Sequence, residues 1–119
     1  MNDISKGIEL FNDAEFFEAH DFFEEIWSDS PADEKFFFQA LVHVSVASFH
    51  LISGKTSGAV SQYGKGIKKL KPYSPVFLNI DVELLINSVE KLLQELKGSK
   101  VQIPPGELIN KLPKIILYK

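Results

Sequence analysis

The segment FFEAHDFFEEIW, residues 16–27, decides how this chain folds. Its apolar residues recur at intervals of three and four, which is the spacing of one face of an α-helix and not of a β-strand. On a helical wheel Phe23 and Trp27 share one face, whereas Glu18 and Glu25 lie on the opposite face. The segment therefore predicts an amphipathic helix that turns one side toward a core.

The same spacing continues along the chain and predicts an all-α fold. The expected helices cover about residues 4–11, 13–27, 31–53, 57–70 and 82–97. Asn12 or Asp13 is a candidate N-cap for the second helix, Ser30 for the third and Asp81 for the fifth, and Gly54 can end the third helix in the left-handed conformation. We expect a single-domain bundle of about five helices built from helical hairpins.

The last twenty residues differ from the helices that precede them. They contain Pro104-Pro105-Gly106 and end in the apolar residues Ile115, Ile116, Leu117 and Tyr118. We predict a helical bundle domain over residues 1–98 and a C-terminal tail over residues 99–119. Because so apolar a tail is unfavourable in water, it should dock on the core or on a partner subunit.

Composition limits the classes of partner. The net charge of −3 and the pI of about 5.6 provide no basic field for a nucleic-acid backbone. The run of Lys65, Lys68, Lys69 and Lys71 is interpreted as a solvated helix face. The absence of cysteine excludes disulfides and thiolate metal sites and is typical of a cytoplasmic protein.

The most apolar run, residues 36–52, is predicted to be a buried helix. It is interrupted by Gln39, His43 and His50, which a membrane-spanning helix would not tolerate easily. The N-terminus carries Asp3 and has no long apolar region, so a signal peptide is not expected. We predict no membrane partner.

Two polar residues share the apolar face of the second helix. On the wheel His20 lies near the middle of the apolar arc, and Glu24 lies one turn further on the same side. On the third helix Gln39, His43 and His50 form a row within about 40° of one another. If the two helices pair antiparallel, this row faces His20 and Glu24, and a buried cluster results because unpartnered buried polar groups are costly.

The cluster has three interpretations. It could be a structural network that fixes the register of the two helices, or it could line a pocket for a small molecule or peptide together with Trp27. The third interpretation is a metal site made by His20, Glu24 and His43, whose imidazole and carboxylate groups suit zinc or iron. Their spacing matches no strong metal motif, and no cofactor is expected.

Phe22 is the converse case, an aromatic residue on the acidic face of the second helix. It predicts a second packing surface for this helix, formed by the tail or by another subunit. Phe22 and the four apolar tail residues are therefore candidates for a homo-oligomer contact.

The motif EAHxxxExxW, which begins at Glu18, resembles the family known as domain of unknown function 309. Further matches are Phe17, Gln39, His50, Gly54, Gly58-Ala59, Leu70 and Tyr73, so the resemblance covers residues 4–98. Gly66 and Lys55 depart from the family, which favours alanine and asparagine there. The resemblance implies a small all-α bacterial or archaeal protein of about five helices with no established activity. It also implies these motif positions: Glu18, His20, Glu24, Trp27, Gln39 and His50.

The leading hypothesis is a small helical protein whose His/Glu/Trp/Gln cluster supports the fold and lines a small-ligand pocket. The first alternative is a helical-hairpin interaction module that binds a peptide or its own copy. The second alternative is a metal-dependent, hydrolase-like enzyme that uses His20 as ligand or base. The sequence does not decide whether the protein is an enzyme, and it identifies no catalytic residue.

Overall fold

A computed structural model describes residues 3–98 and 105–118, and their fold is all-α, as predicted. The helices are α1 (Ser5–Asn12), α2 (Phe16–Asp29), α3 (Ala32–Ile52), α4 (Thr56–Leu70), α5 (Val82–Gly98) and α6 (Pro105–Lys111). A 3₁₀ turn, Lys71–Tyr73, follows α4. The short strands β1 (Val76–Phe77) and β2 (Ile80–Asp81) then form an antiparallel hairpin.

α3 is the central helix of the bundle. It packs against α2 on one side and α4 on the other, while α1 packs on α2 and α5 packs on α4. By length and composition alone α3 could cross a membrane, but half of its most apolar window is buried inside the protein. A helix covered on two sides by neighbouring helices is typical of the core of a soluble domain.

Two of the predicted helix boundaries are confirmed. The Asp81 carboxylate accepts a hydrogen bond from the Leu84 backbone N–H at 2.9 Å, which is the expected N-cap of α5. Gly54 follows α3 with a φ of +81°, the left-handed conformation that glycine adopts without a steric penalty.

The predicted caps of α2 and α3 are wrong. The Ser30 hydroxyl donates backward to the Ile26 carbonyl at 2.6 Å, so it satisfies the end of α2, and Pro31 precedes α3 without a side-chain cap. The chain enters α2 through Ala14, whose φ is +63°, and no side chain caps that helix. The Asn12 side chain is instead bonded to the C-terminal segment.

The β-hairpin is an element that the sequence patterns did not predict. Val76 pairs with Asp81 and Phe77 with Ile80, so only Leu78 and Asn79 form the turn. Both have positive φ, +50° and +62°. This two-residue turn usually carries asparagine and glycine, and leucine at its first position hides the signal.

The C-terminal segment, residues 105–118, contacts the body of the protein. The amide group of Asn12 donates to the Ile115 carbonyl at 2.9 Å and accepts from the Ile115 N–H at 2.8 Å. The N–H of Asp81 donates to the Ile116 carbonyl at 2.8 Å, which extends the hairpin by a third, bridged segment. Ile115 is buried, whereas Ile116, Leu117 and Tyr118 are exposed. The predicted domain boundary after Gly98 adjoins residues 99–104, which lie outside the described residues.

Phe22 is half-buried, and α1 covers part of it. A methyl group added to Gly7 of α1 would lie 2.6 Å from Phe22 Cδ1 and 2.8 Å from the Phe23 ring. Phe22 is therefore partly covered by α1, which approaches closely because residue 7 has no side chain. The short α1 provides the second packing surface that this phenylalanine requires.

Candidate functional site

His20 lies on the outer shoulder of α2 and not at its buried centre. Its Nδ1 is 3.0 Å from the Phe17 carbonyl oxygen, and its Nε2 is 3.1 Å from a Glu24 carboxylate oxygen. With hydrogen on Nδ1, the ring donates to the carbonyl and presents Nε2 to Glu24. A protonated ring therefore makes an ion pair with Glu24 one turn along the helix.

The prediction that His20 and Glu24 are buried is wrong. The side chain of His20 is 23% exposed and that of Glu24 is 52% exposed. The buried residues of α2 are Phe16, Ala19, Phe23 and Ile26, whose mean direction lies about 80° from His20 on the helical wheel. Glu24 and Phe17 project to the other side of His20, and both side chains are exposed. The pair exists as predicted, but it is formed at the surface.

The predicted row on α3 faces α4 and not α2. His43 Nδ1 lies 2.7 Å from Gln62 Oε1 on α4, and the His50 ring packs against Gly58, where a methyl group would lie 3.2 Å from His50 Cδ2. The Nδ1 atom of His50 is buried and has no hydrogen-bond partner among the described residues. Gln39 is half-buried on the same helix. The predicted cluster is therefore divided: His20 and Glu24 lie on α2, on one side of α3, whereas His43 and His50 face α4 on the other side.

The predicted metal ligand His43 does not lie beside His20 and Glu24, because it faces α4. His43 is bonded to Gln62, whereas Asp21 places a carboxylate beside His20, and ligand atoms of His20, Asp21 and Glu24 lie within 4.8 Å of one another. One imidazole and two carboxylates could hold a divalent cation. Because Asp21 and Glu24 are exposed, such a cation would sit in open solvent.

An exposed aromatic patch adjoins His20. We define the α2–α3 patch as Phe17, His20, Phe49 and Ile52. The Phe17 ring lies 5.8 Å from the Phe49 ring and 5.5 Å from the His20 imidazole, measured between centroids. Phe17 is 52% exposed, Phe49 38% and Ile52 46%. Phe17 and Phe49 thus remain partly in water beside the motif histidine, and Ile52 lies about one turn beyond Phe49 on α3.

An acidic groove lies on the same helix beyond Glu24. We define it by its lining residues, Asp21, Glu24, Glu25, Trp27 and Ser28, and its volume is about 380 Å³. The ring of Trp27 is half-buried, so one side of the indole remains accessible. The groove is connected to the patch because Glu24 contacts His20 and His20 contacts Phe17.

The acidic residues are concentrated in the part of the sequence that contains α2. Ten of the sixteen acidic residues lie between positions 7 and 34, a range that contains no lysine or arginine. The described part of α2 makes ion pairs only within itself, between His20 and its neighbours Asp21 and Glu24. The carboxylates of Asp21, Glu24 and Glu25 therefore give the groove a negative charge that no described lysine or arginine of another element neutralises by an ion pair.

The sequence patterns identified some of the site residues and missed others. They identified His20, Glu24 and Trp27, which lie together on the outer side of α2, and Glu18 is exposed on that helix as predicted. They missed Phe49 and Ile52, because α3 is apolar nearly all round and its wheel does not distinguish outward residues from buried ones. These two residues could have been found only from the way α2 and α3 pair, and that requires the orientation of each helix about its axis.

The fold and this surface define the class of protein, a small all-α domain with an acidic and aromatic outer face. The family model described as "Domain of unknown function (DUF309)" matches residues 4–62, from the start of α1 to the middle of α4. This match supports the resemblance to that family, and it includes every motif position from Glu18 to His50. No match was found among curated proteins or among solved structures.

Replacing His20 by alanine should change the free energy of unfolding by less than about 1 kcal/mol. The reason is exposure, since an ion pair at i, i+4 on a helix surface contributes only about 0.3–0.5 kcal/mol. Urea unfolding of H20A, E24Q and the double variant would measure the coupling of the pair. A loss above about 2 kcal/mol in H20A would show that the imidazole is buried and required for the fold.

Proposed function

We propose that this protein is an interaction domain that binds a basic, amphipathic helix of a partner protein in the cytoplasm. The α2–α3 patch would receive the apolar side chains of the partner, and the acidic groove would receive a lysine or arginine. Recognition of an amphipathic helix by an apolar surface with a charged border is a recurrent mode of protein binding.

The apolar half of the proposal is supported by Phe17 and Phe49. Single exposed apolar residues are ordinary, but two phenylalanine rings in mutual contact and both partly exposed to water are unfavourable without a partner. Neither ring belongs to the buried core, which α2 fills with Phe16 and Phe23 and α3 with other side chains such as Phe37. This exposed pair is the observation that carries the proposal.

The cationic half is supported by the groove beside Trp27. A lysine or arginine side chain in this groove would lie near the indole ring and three carboxylates, those of Asp21, Glu24 and Glu25. Aromatic faces attract cations, and tryptophan does so most strongly. Carboxylates add directional hydrogen bonds to the same group.

The spacing of the two halves limits the length of the partner. Phe17 and Trp27 are ten positions apart on α2, which corresponds to about 15 Å along the helix axis. A partner helix of similar direction would carry apolar residues at one end and a basic residue two to three turns away. About four turns of helix would then cover the whole surface.

The two other functional hypotheses have less support. A small-molecule pocket formed by the motif residues would need them to converge, and the half-buried histidines of α3 face α4 instead. A metal-dependent enzyme would need ligands held in a fixed arrangement, and the carboxylates of Asp21 and Glu24 are exposed side chains on the surface of one helix. We also propose self-association through the exposed Ile116, Leu117 and Tyr118, a contact that does not require Phe22.

Binding can be followed with Trp27, the single tryptophan of the chain. The probe is a synthetic leucine–lysine amphipathic helix of about five turns, titrated while the tryptophan emission is recorded. We expect saturable binding with a change in emission. Phe17→Ser should weaken it by roughly tenfold or more, because a central aromatic anchor is lost.

The matched control is Phe36→Ser, since Phe36 is 59% exposed but lies outside the patch. It should bind the lysine helix as the wild type does, and a leucine–glutamate helix of the same pattern should not bind. Equal weakening by Phe17→Ser and Phe36→Ser would overturn the proposal. So would equal binding of a scrambled lysine peptide, because the interaction would then be charge alone.

A further inference from the structure

A second surface, remote in sequence from the motif, combines aromatic walls with lysines. It is a groove of about 570 Å³ between the start of α3, the end of α4 and the 3₁₀ turn. We define this α3–α4 groove by the residues that line it, which are Phe36, Lys65, Lys68, Lys69, Pro72 and Tyr73.

The lysines make this groove locally positive in an acidic protein. Lys65, Lys68 and Lys69 are spaced i, i+3 and i+4, so they share one face of α4. Of the residues that the structure describes, no acidic side chain lines the groove. Lysines in the last turn also complement the helix dipole, which by itself would be a structural role. The aromatic walls distinguish the groove from an ordinary solvated helix face.

Phe36 and Lys69 are already in contact. The Lys69 ammonium lies 5.2 Å from the centroid of the Phe36 ring, a cation–π distance. Phe36 is more than half exposed although it lies in the second turn of the central helix of the bundle. A flat group that stacked on this ring would lie beside the ammonium groups of α4.

The opposite wall is rigid before any ligand arrives. The Tyr73 hydroxyl donates to the Asp33 carbonyl at 3.0 Å, and its ring packs against Phe37 at 5.3 Å and Phe77 at 4.7 Å between centroids. Pro72 beside it has a fixed φ. A wall that is ordered in advance loses little conformational entropy on binding.

We propose that the α3–α4 groove binds an organic anion that joins a phosphate group to a flat ring, the chemistry of a nucleoside monophosphate. The lysine ammonium groups would hold the phosphate, and the ring would stack between Phe36 and Tyr73. The groove lies within the usual size range of small-ligand pockets. The positive charge is confined to this groove and suits one small anion. A long nucleic acid is not expected to bind, because the net charge of the chain is negative.

The test is titration of the ¹⁵N-labelled full chain with adenosine monophosphate, adenosine and inorganic phosphate in separate experiments. We expect saturable shifts of the backbone signals of Phe36, Lys65, Lys69 and Tyr73. The nucleotide should bind at least about tenfold more tightly than adenosine or phosphate, because only the nucleotide uses both parts of the groove. Added salt should weaken the binding of the nucleotide and of phosphate, which are charged, but not the binding of adenosine.

Matched variants separate this site from general charge effects. The double variant K65Q/K68Q should weaken nucleotide binding by about tenfold or more. Phe36→Ser should weaken the binding of the nucleotide and the binding of adenosine to the same extent. The controls are K91Q, an exposed lysine on α5, and Phe17→Ser, an exposed phenylalanine elsewhere. The proposal is overturned if the nucleotide binds no better than phosphate, or if K91Q weakens it as much as K65Q/K68Q does.

Discussion

Replacement of Phe37 by alanine should lower the free energy of unfolding by about 3–5 kcal/mol, the usual cost of removing a buried phenylalanine. Phe37 has no exposed surface. Its ring meets Phe38 at 5.5 Å, Tyr73 at 5.3 Å and Phe77 at 4.9 Å between centroids. These contacts connect the central helix to the turn and the β-hairpin, and neighbours on three elements cannot all move to close the cavity.

Equilibrium unfolding in urea measures this effect, and the chain provides a control at the next position. Phe36→Ala removes the same ring from a side chain that is more than half exposed, so its effect should stay within about 0.5 kcal/mol. Similar losses for the two variants would contradict the placement of Phe37 as the buried member of the pair. The loss in F37A should also loosen Tyr73 and thereby the wall of the α3–α4 groove.

Replacement of Ile115 by alanine should cost about 2–4 kcal/mol. Ile115 is almost fully buried, and its backbone is bonded on both sides by the Asn12 amide. A smaller side chain would leave a cavity beneath the C-terminal segment and weaken the contact that holds this backbone in place. The bonded groups of Asn12 and Ile115 would then be exposed to water more often.

Ile116→Ala is the matched control, because residue 116 is exposed and its backbone makes its own bond to Asp81. We expect a change within about 0.5 kcal/mol. Hydrogen exchange provides a second measurement, since in I115A the amide of residue 115 should exchange much faster while the amides of α3 change less. Equal unfolding curves for I115A and I116A would contradict a C-terminal segment docked through residue 115.

The sequence was sufficient for α1 to α5, but not for α6 in the predicted tail, because the signals of the first five helices are local. The spacing of apolar residues, Gly54 and the Asp81 cap depend on neighbours within a few positions, and the structure confirms them. Ser30 shows the limit of such signals. A serine before a helix can bond forward to it or back to the preceding helix, and here the end of α2 is near enough to receive the bond.

The hairpin could not be predicted for a different reason. Its strands have two residues each, which is too short for an alternating pattern to be recognised. Its turn uses Leu78 where asparagine or glycine would mark a positive φ. The pairing of β2 with the C-terminal segment joins residues far apart in sequence, and no local pattern records it.

The candidate site was predicted in composition but not in position. A helical wheel gives the direction of each side chain relative to the others, and it placed His20 and Glu24 together correctly. It cannot say which part of a broad apolar arc a neighbouring helix will cover. On α2 the covered part includes Phe16 and Phe23, and the uncovered part includes Phe17 and Glu24.

The bonds between Asn12 and Ile115 also bear on the order in which the protein folds. They join residues 103 positions apart, whereas the contacts of α2 with α3 and of α3 with α4 lie within successive hairpins. Local hairpins can form early, but this closure requires residue 115 to be synthesised and brought back to α1. During translation the C-terminal end of α1 should therefore lack its bonds to Ile115 until residue 115 emerges, although α1 can already pack on α2.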